Sequence, residues 1–106
     1  MSNHSPRVFV LEHCNVDVSK AKAYGELTYL FGRDDRRASI WDDAFKQNVV
    51  DKLASFQYDP AVDFFVVAGH MVSVVIVVGI LARRYTAPRV LFYSAIEHCY
   101  TTKELG

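Results

Sequence analysis

The chain has 106 residues, 51% of them apolar and 23% charged, the balance of one ordinary globular domain rather than a disordered segment. Twelve basic and twelve acidic residues cancel, so no long-range field draws the chain to nucleic acid or to an anionic membrane, and neither is expected as a partner. Zero net charge instead favours self-association. Two cysteines, Cys14 and Cys99, are too few for a disulfide framework. The N-terminal MSNHSPR has no apolar run behind its positive charge, so it does not read as a secretory signal, and the expected location is the cytoplasm.

Residues 7–13 (RVFVLEH) are short and rich in β-formers and predict a first strand. A loop from Asn15 to Ser19 follows. Residues 19–24 predict one helical turn that Gly25 ends. Residues 26–31 (ELTYLF) alternate like a second strand. After a polar turn at residues 32–36, residues 37–41 (RASIW) predict a short return strand, giving an N-terminal hairpin. Ile40, Trp41, Phe45, Val49, Leu53 and Phe56 recur every three to four residues and predict a helix over 42–57. Asp42 and Asp43 suit its first turn, and Asp59-Pro60 stops it.

Residues 64–82 (FFVVAGHMVSVVIVVGILA) hold fifteen apolar residues out of nineteen. As one helix the run approaches the roughly 20 apolar residues that cross a bilayer. Broken at Gly69 it becomes a buried strand over 63–68 and a buried helix over 70–85. Three features favour the break. Gly69 supplies a turn, His70 is costly in hydrocarbon, and the flanking elements need a core to pack on. Residues 89–96 (RVLFYSAI) follow as another apolar strand, and residues 98–105 as an edge strand. Helix, strand, helix, strand is the rhythm of a parallel sheet. The predicted fold is thus a single-domain α/β protein over 1–106, with a partly parallel mixed sheet in a Rossmann-like βαβ rhythm, two main helices and an N-terminal hairpin. Asp59 and Asp63 before the run, with Arg83 and Arg84 after it, keep a membrane-anchored reading as a minor alternative.

The string from Asp17 to Leu27 (DVSKAKAYGEL), with Asp63-Phe64, Gly69 and Val90-Leu91-Phe92-Tyr93 further on, resembles a pattern in short uncharacterised proteins of phage and environmental sequences. That pattern is similar to D-x-S-x-A-x-x-Y-G-E-L, then an acidic-aromatic pair and a glycine before an apolar helix, then a strand. The resemblance spans most of the chain and implies a small α/β domain. No activity or catalytic residue carries over from it.

Ligands of open α/β sheets sit beyond the carboxyl ends of the strands. That edge is expected to hold Gly69, His70 and Ser73, with Ser94 at the end of the following strand. A helix N-terminus beside a glycine suits a phosphate; read the ordinary way, Gly69 is only a turn and His70 a cap. Glu-His-Cys occurs at 12–14 and again at 97–99. Neighbouring strand residues face opposite ways, so the four His and Cys do not make an obvious zinc set, and no metal or cofactor is expected. The helix over 70–85 is apolar nearly all round, with Met71, Val75, Val78 and Ala82 opposite Val74, Val77 and Leu81. Such a helix needs cover on both faces. The leading expectation is therefore a self-associating interaction protein, a homo-oligomer through this helix, with a further protein partner allowed. The competing one is a nucleotide- or phosphate-binding enzyme working at Gly69, His70, Ser73 and Ser94. The sequence leaves open whether there is any catalysis at all.

Overall fold

In the computed structural model, which describes residues 4–105, the long apolar run is broken as its glycine predicts. Phe64–Val66 is a strand (β3) and Met71–Arg84 a helix (α2). Between them Gly69 adopts φ +108°, open to glycine and strained for other residues. No helix of the described residues is long and apolar enough to cross a membrane.

The remaining elements are β1 (Arg7–Glu12), a short 3₁₀ helix (Ser19–Ala23), β2 (Glu26–Phe31), α1 (Ala44–Ser55), β4 (Arg89–Ser94) and β5 (Cys99–Glu104). They form one five-stranded sheet of order β2-β1-β3-β4-β5. The first four strands are parallel, and β5 turns back antiparallel to β4. The fold is a small α/β domain with a mostly parallel mixed sheet and two helices. β3 lies at its centre, with Val8 opposite Phe64 on one side and Val90 opposite Phe65 on the other.

Strand alternation sorts the core into two layers. Phe9, Leu11, Phe65 and Val90 face α1 and α2, meeting Phe45, Val49, Leu53, Val74, Val77 and Leu81. Val8, Val10, Phe64, Val66 and Leu91 face the other way and meet Val18 and Ala21 around the 3₁₀ helix, with Tyr100. Two full helices thus cover one face and a single short turn covers the other.

The expected N-terminal hairpin is absent. β2 pairs with β1 in parallel, Arg7 opposite Glu26, after crossing over through the 3₁₀ helix. Gly25 makes this possible, because a Cβ there would stand 2.6 Å from the Pro6 carbonyl oxygen that receives the Glu26 N–H. Residues 37–41 form no strand, since side chains hold this segment instead. The Ala38 N–H donates to Asn48 Oδ1 at 2.7 Å, and Arg37 forms a two-pronged ion pair with Glu12 at 2.8 and 2.9 Å. Trp41 also departs from expectation. It precedes α1 and is 78% exposed, whereas Phe45, Val49 and Leu53 are buried as their spacing predicts.

At the amino end of the sheet Asp63 is fully buried and heavily bonded. Its carboxylate accepts the Asp59 N–H at 2.9 Å, the Arg7 N–H at 3.2 Å and Arg7 Nη2 at 3.1 Å, and His4 Nε2 lies 2.9 Å away. One side chain therefore joins the start of β1, the start of β3 and the loop after α1. Asp63→Asn removes the charge but keeps the shape, and should cost about 3 kcal/mol, the range for breaking a buried pair. Urea unfolding checks this against Asp34→Asn at an exposed turn, which should change little.

Tyr58 packs edge-on between Phe9 and Tyr85, and among the described residues its buried hydroxyl meets no hydrogen-bond partner. Burial, and then the neighbouring Asp63 carboxylate, hold the phenol well above its ordinary range. The unfolded phenol ionises at about pH 10 while the folded one stays neutral. Its contribution is therefore complete below that pH and is lost as pH rises past it. Tyr58→Phe should keep or gain stability at neutral pH and show a shallower alkaline decline. Urea titrations at neutral pH and at about pH 11 test both; a loss above about 1 kcal/mol at neutral pH would contradict the account.

Candidate functional site

The strand order reverses at one place. The chain runs from β1 outward to β2, then back across to β3 on the other side of β1. In parallel sheets the crevice beyond the carboxyl ends at such a reversal is the usual place for a ligand. Here the two strand ends lead to Cys14 and Gly69. A Cβ on Gly69 would stand 3.9 Å from Cys14 Cβ and Sγ, an ordinary contact, so the requirement for glycine comes from its backbone conformation and not from crowding.

His70 is extended at φ −65°, ψ 124° and opens α2, and its side chain makes no capping hydrogen bond. The His70 carbonyl accepts the Val74 N–H at 3.0 Å, the first bond of the helix. The ring is exposed, while Ser73 is buried with its Oγ 3.5 Å from Nδ1. Gly69, His70 and Ser73 therefore share one strand–helix junction with open backbone donors. Ser94 sits at the end of β4, opposite Cys99, and its hydroxyl accepts the Glu97 N–H at 3.3 Å. It closes the turn into β5, and among the described residues no hydrogen bond joins it to the other three.

The two Glu-His-Cys copies do different work. In the first, Glu12 pairs with Arg37, the His13 ring stacks on Tyr29 with centroids 3.9 Å apart, and Cys14 is exposed. In the second, His98 has φ +57° in the β4–β5 turn and its carbonyl accepts Lys20 Nζ at 3.1 Å. Among the described residues no three His, Cys, Asp or Glu gather into a metal set.

Sequence reasoning missed a second feature at this end of the sheet. Val16, Asp17, Lys20, Tyr93 and Tyr100 line a cleft of about 320 Å³. The antiparallel register sets Tyr93 opposite Tyr100, rings edge to face at 5.4 Å, and Lys20 Nζ lies 5.8 Å from the Tyr93 centroid. The Ser19 backbone N–H, donating at 2.9 Å, holds the Asp17 carboxyl below its usual range. The two tyrosines, spaced across a turn, were the available signal.

The third feature is the outer face of α2. Val74, Val77 and Leu81 are buried, as the helical spacing predicts, and Val78 packs partly against the same core. Met71 is 78% and Val75 63% exposed, with Val72 and Ala82 exposed beside them. This makes a continuous apolar stripe on the surface.

A family model described as phage Pam3 gp32-like protein matches residues 6–106. No curated protein and no solved structure matches the chain significantly. The family match runs through all five strands and both helices, and the chain therefore belongs to the phage Pam3 gp32-like family.

Proposed function

We propose that this protein acts by binding, as a cytoplasmic module that associates with a second copy of itself through the outer face of α2. The observation that carries the reading is the exposure of Met71 and Val75 on a helix whose other face is already the domain core. The stripe from Met71 to Ala82 contains no charged residue, so a matching face meets no unpaired charge on contact. The neutral chain adds no net repulsion between copies. Size-exclusion chromatography with light scattering at micromolar concentration should give a dimer or larger species. Val75→Glu should give a folded monomer that still melts cooperatively, at or somewhat below the wild-type temperature because the contribution of association is lost. A wild-type monomer under these conditions contradicts the proposal.

A second reading keeps the strand–helix junction as a phosphate or nucleotide site, with His70 and Ser73 beside the open N-terminus of α2. Its support is the reversal of strand order between β1 and β3 at that spot. A thermal-shift screen of inorganic phosphate, nucleotides and phosphorylated metabolites separates the two. Under the association reading the panel leaves the melting temperature unchanged; a ligand-specific rise that disappears in His70→Ala supports the site.

A further inference from the structure

A groove of about 360 Å³ runs between α1 and α2, lined by Lys46, Gln47, Val50, Ile80, Arg83 and Arg84. Its apolar members are Val50 and Ile80, and its rim carries three cations and no acid. Among the described residues, Lys46, Arg83 and Arg84 form no ion pair. A site of this make-up fits an aromatic or aliphatic anchor flanked by carboxylates.

The chain itself carries such a segment. Trp41 stands 78% exposed at the corner before α1, followed by exposed Asp42 and Asp43. Asp42 Oδ1 accepts the Ala44 N–H, and the Asp43 side chain makes no capping bond. The hydrophobic ring is thus presented outward on a short acidic base, the chemical complement of the groove.

We propose that the Trp41-Asp42-Asp43 corner of one copy docks into the α1–α2 groove of a second copy. Asp43 stands at the N-cap position of α1, three residues before Lys46, so the acidic base of the corner adjoins the groove on each molecule. A twofold axis then lets both corners enter both grooves at once, giving a closed dimer rather than an open chain. Arg83 follows the exposed Ala82 at the end of the stripe, so the groove lies beside the far end of the α2 face. This inference rests on the self-association reading and adds its polar half. Association held partly by these exposed charges weakens as salt rises.

The test is sedimentation of the full chain as the wild type, Trp41→Ala, Asp43→Lys, Arg83→Glu/Arg84→Glu, and the combined Asp43→Lys/Arg83→Glu/Arg84→Glu. Trp41→Ala, Asp43→Lys and the arginine pair should each weaken the dimer by about tenfold or more. The combined charge reversal should recover most of the wild-type affinity. Thermal melts confirm that each variant folds, and Trp41→Ala tests the corner without altering any charge. Docking is overturned if these variants dimerise like the wild type, or if the combined variant stays as weak as its parents. Should Val75→Glu dissociate the dimer while the corner and groove variants leave it intact, this inference falls and the α2 association stands. Should the wild type be monomeric, both fall, and a wild-type monomer that binds an acidic Trp-containing peptide would assign the groove to a foreign protein.

Discussion

The break in the apolar run at Gly69 is the constraint on which the rest of the structure depends. With φ at +108°, the chain leaves the sheet after Val66 and returns over it as α2. The strand so formed is the central one, paired in parallel on both sides. The helix so formed supplies Val74, Val77 and Leu81 to the layer that also holds Phe9, Phe65 and Val90. A continuous helix over the same residues would remove the middle of the sheet and half of its cover together.

The same break leaves an imbalance. The sheet has two full helices on one face and one short 3₁₀ turn on the other. α2 is apolar around nearly its whole circumference, yet a single sheet can bury only one side of it. The outer stripe is a consequence of composition rather than of local packing, because no rotation of the helix would hide it. At the amino end of the sheet the Asp63 carboxylate bonds the starts of β1 and β3 and the loop between α1 and β3. The carboxyl end carries the α2 start and the tyrosine cleft.

Much of this was legible in the sequence, and the exceptions have physical causes. β3, α2 and β4 could be read because β-branched residues, a glycine and Pro88 punctuate a strongly apolar stretch. α1 was legible from Phe45, Val49 and Leu53, while Trp41 fitted the same spacing by coincidence, one turn before the helix begins. The false hairpin arose because residues 26–31 alternate as any half-buried strand does, and alternation does not reveal parallel or antiparallel pairing. The parallel pairing goes with the close approach of Gly25 to the Pro6 carbonyl, a long-range contact. Gly69, His70 and Ser73 could be placed at one junction because they lie within five residues of one another. Ser94 was drawn in by strand position alone, and its hydroxyl instead fastens the β4–β5 turn. The Tyr93–Tyr100 cleft and the α1–α2 groove depend on tertiary neighbours that no local pattern encodes.

The central claim is that the outer face of α2 is covered by a second copy in solution. The methyl group of Met71, one of only two methionines in the chain, sits on that face and reports on it directly. With methyl-labelled methionine and a soluble paramagnetic agent, the Met71 signal should be protected at high protein concentration and become accessible on dilution. A Met71 methyl equally accessible at every concentration would contradict it.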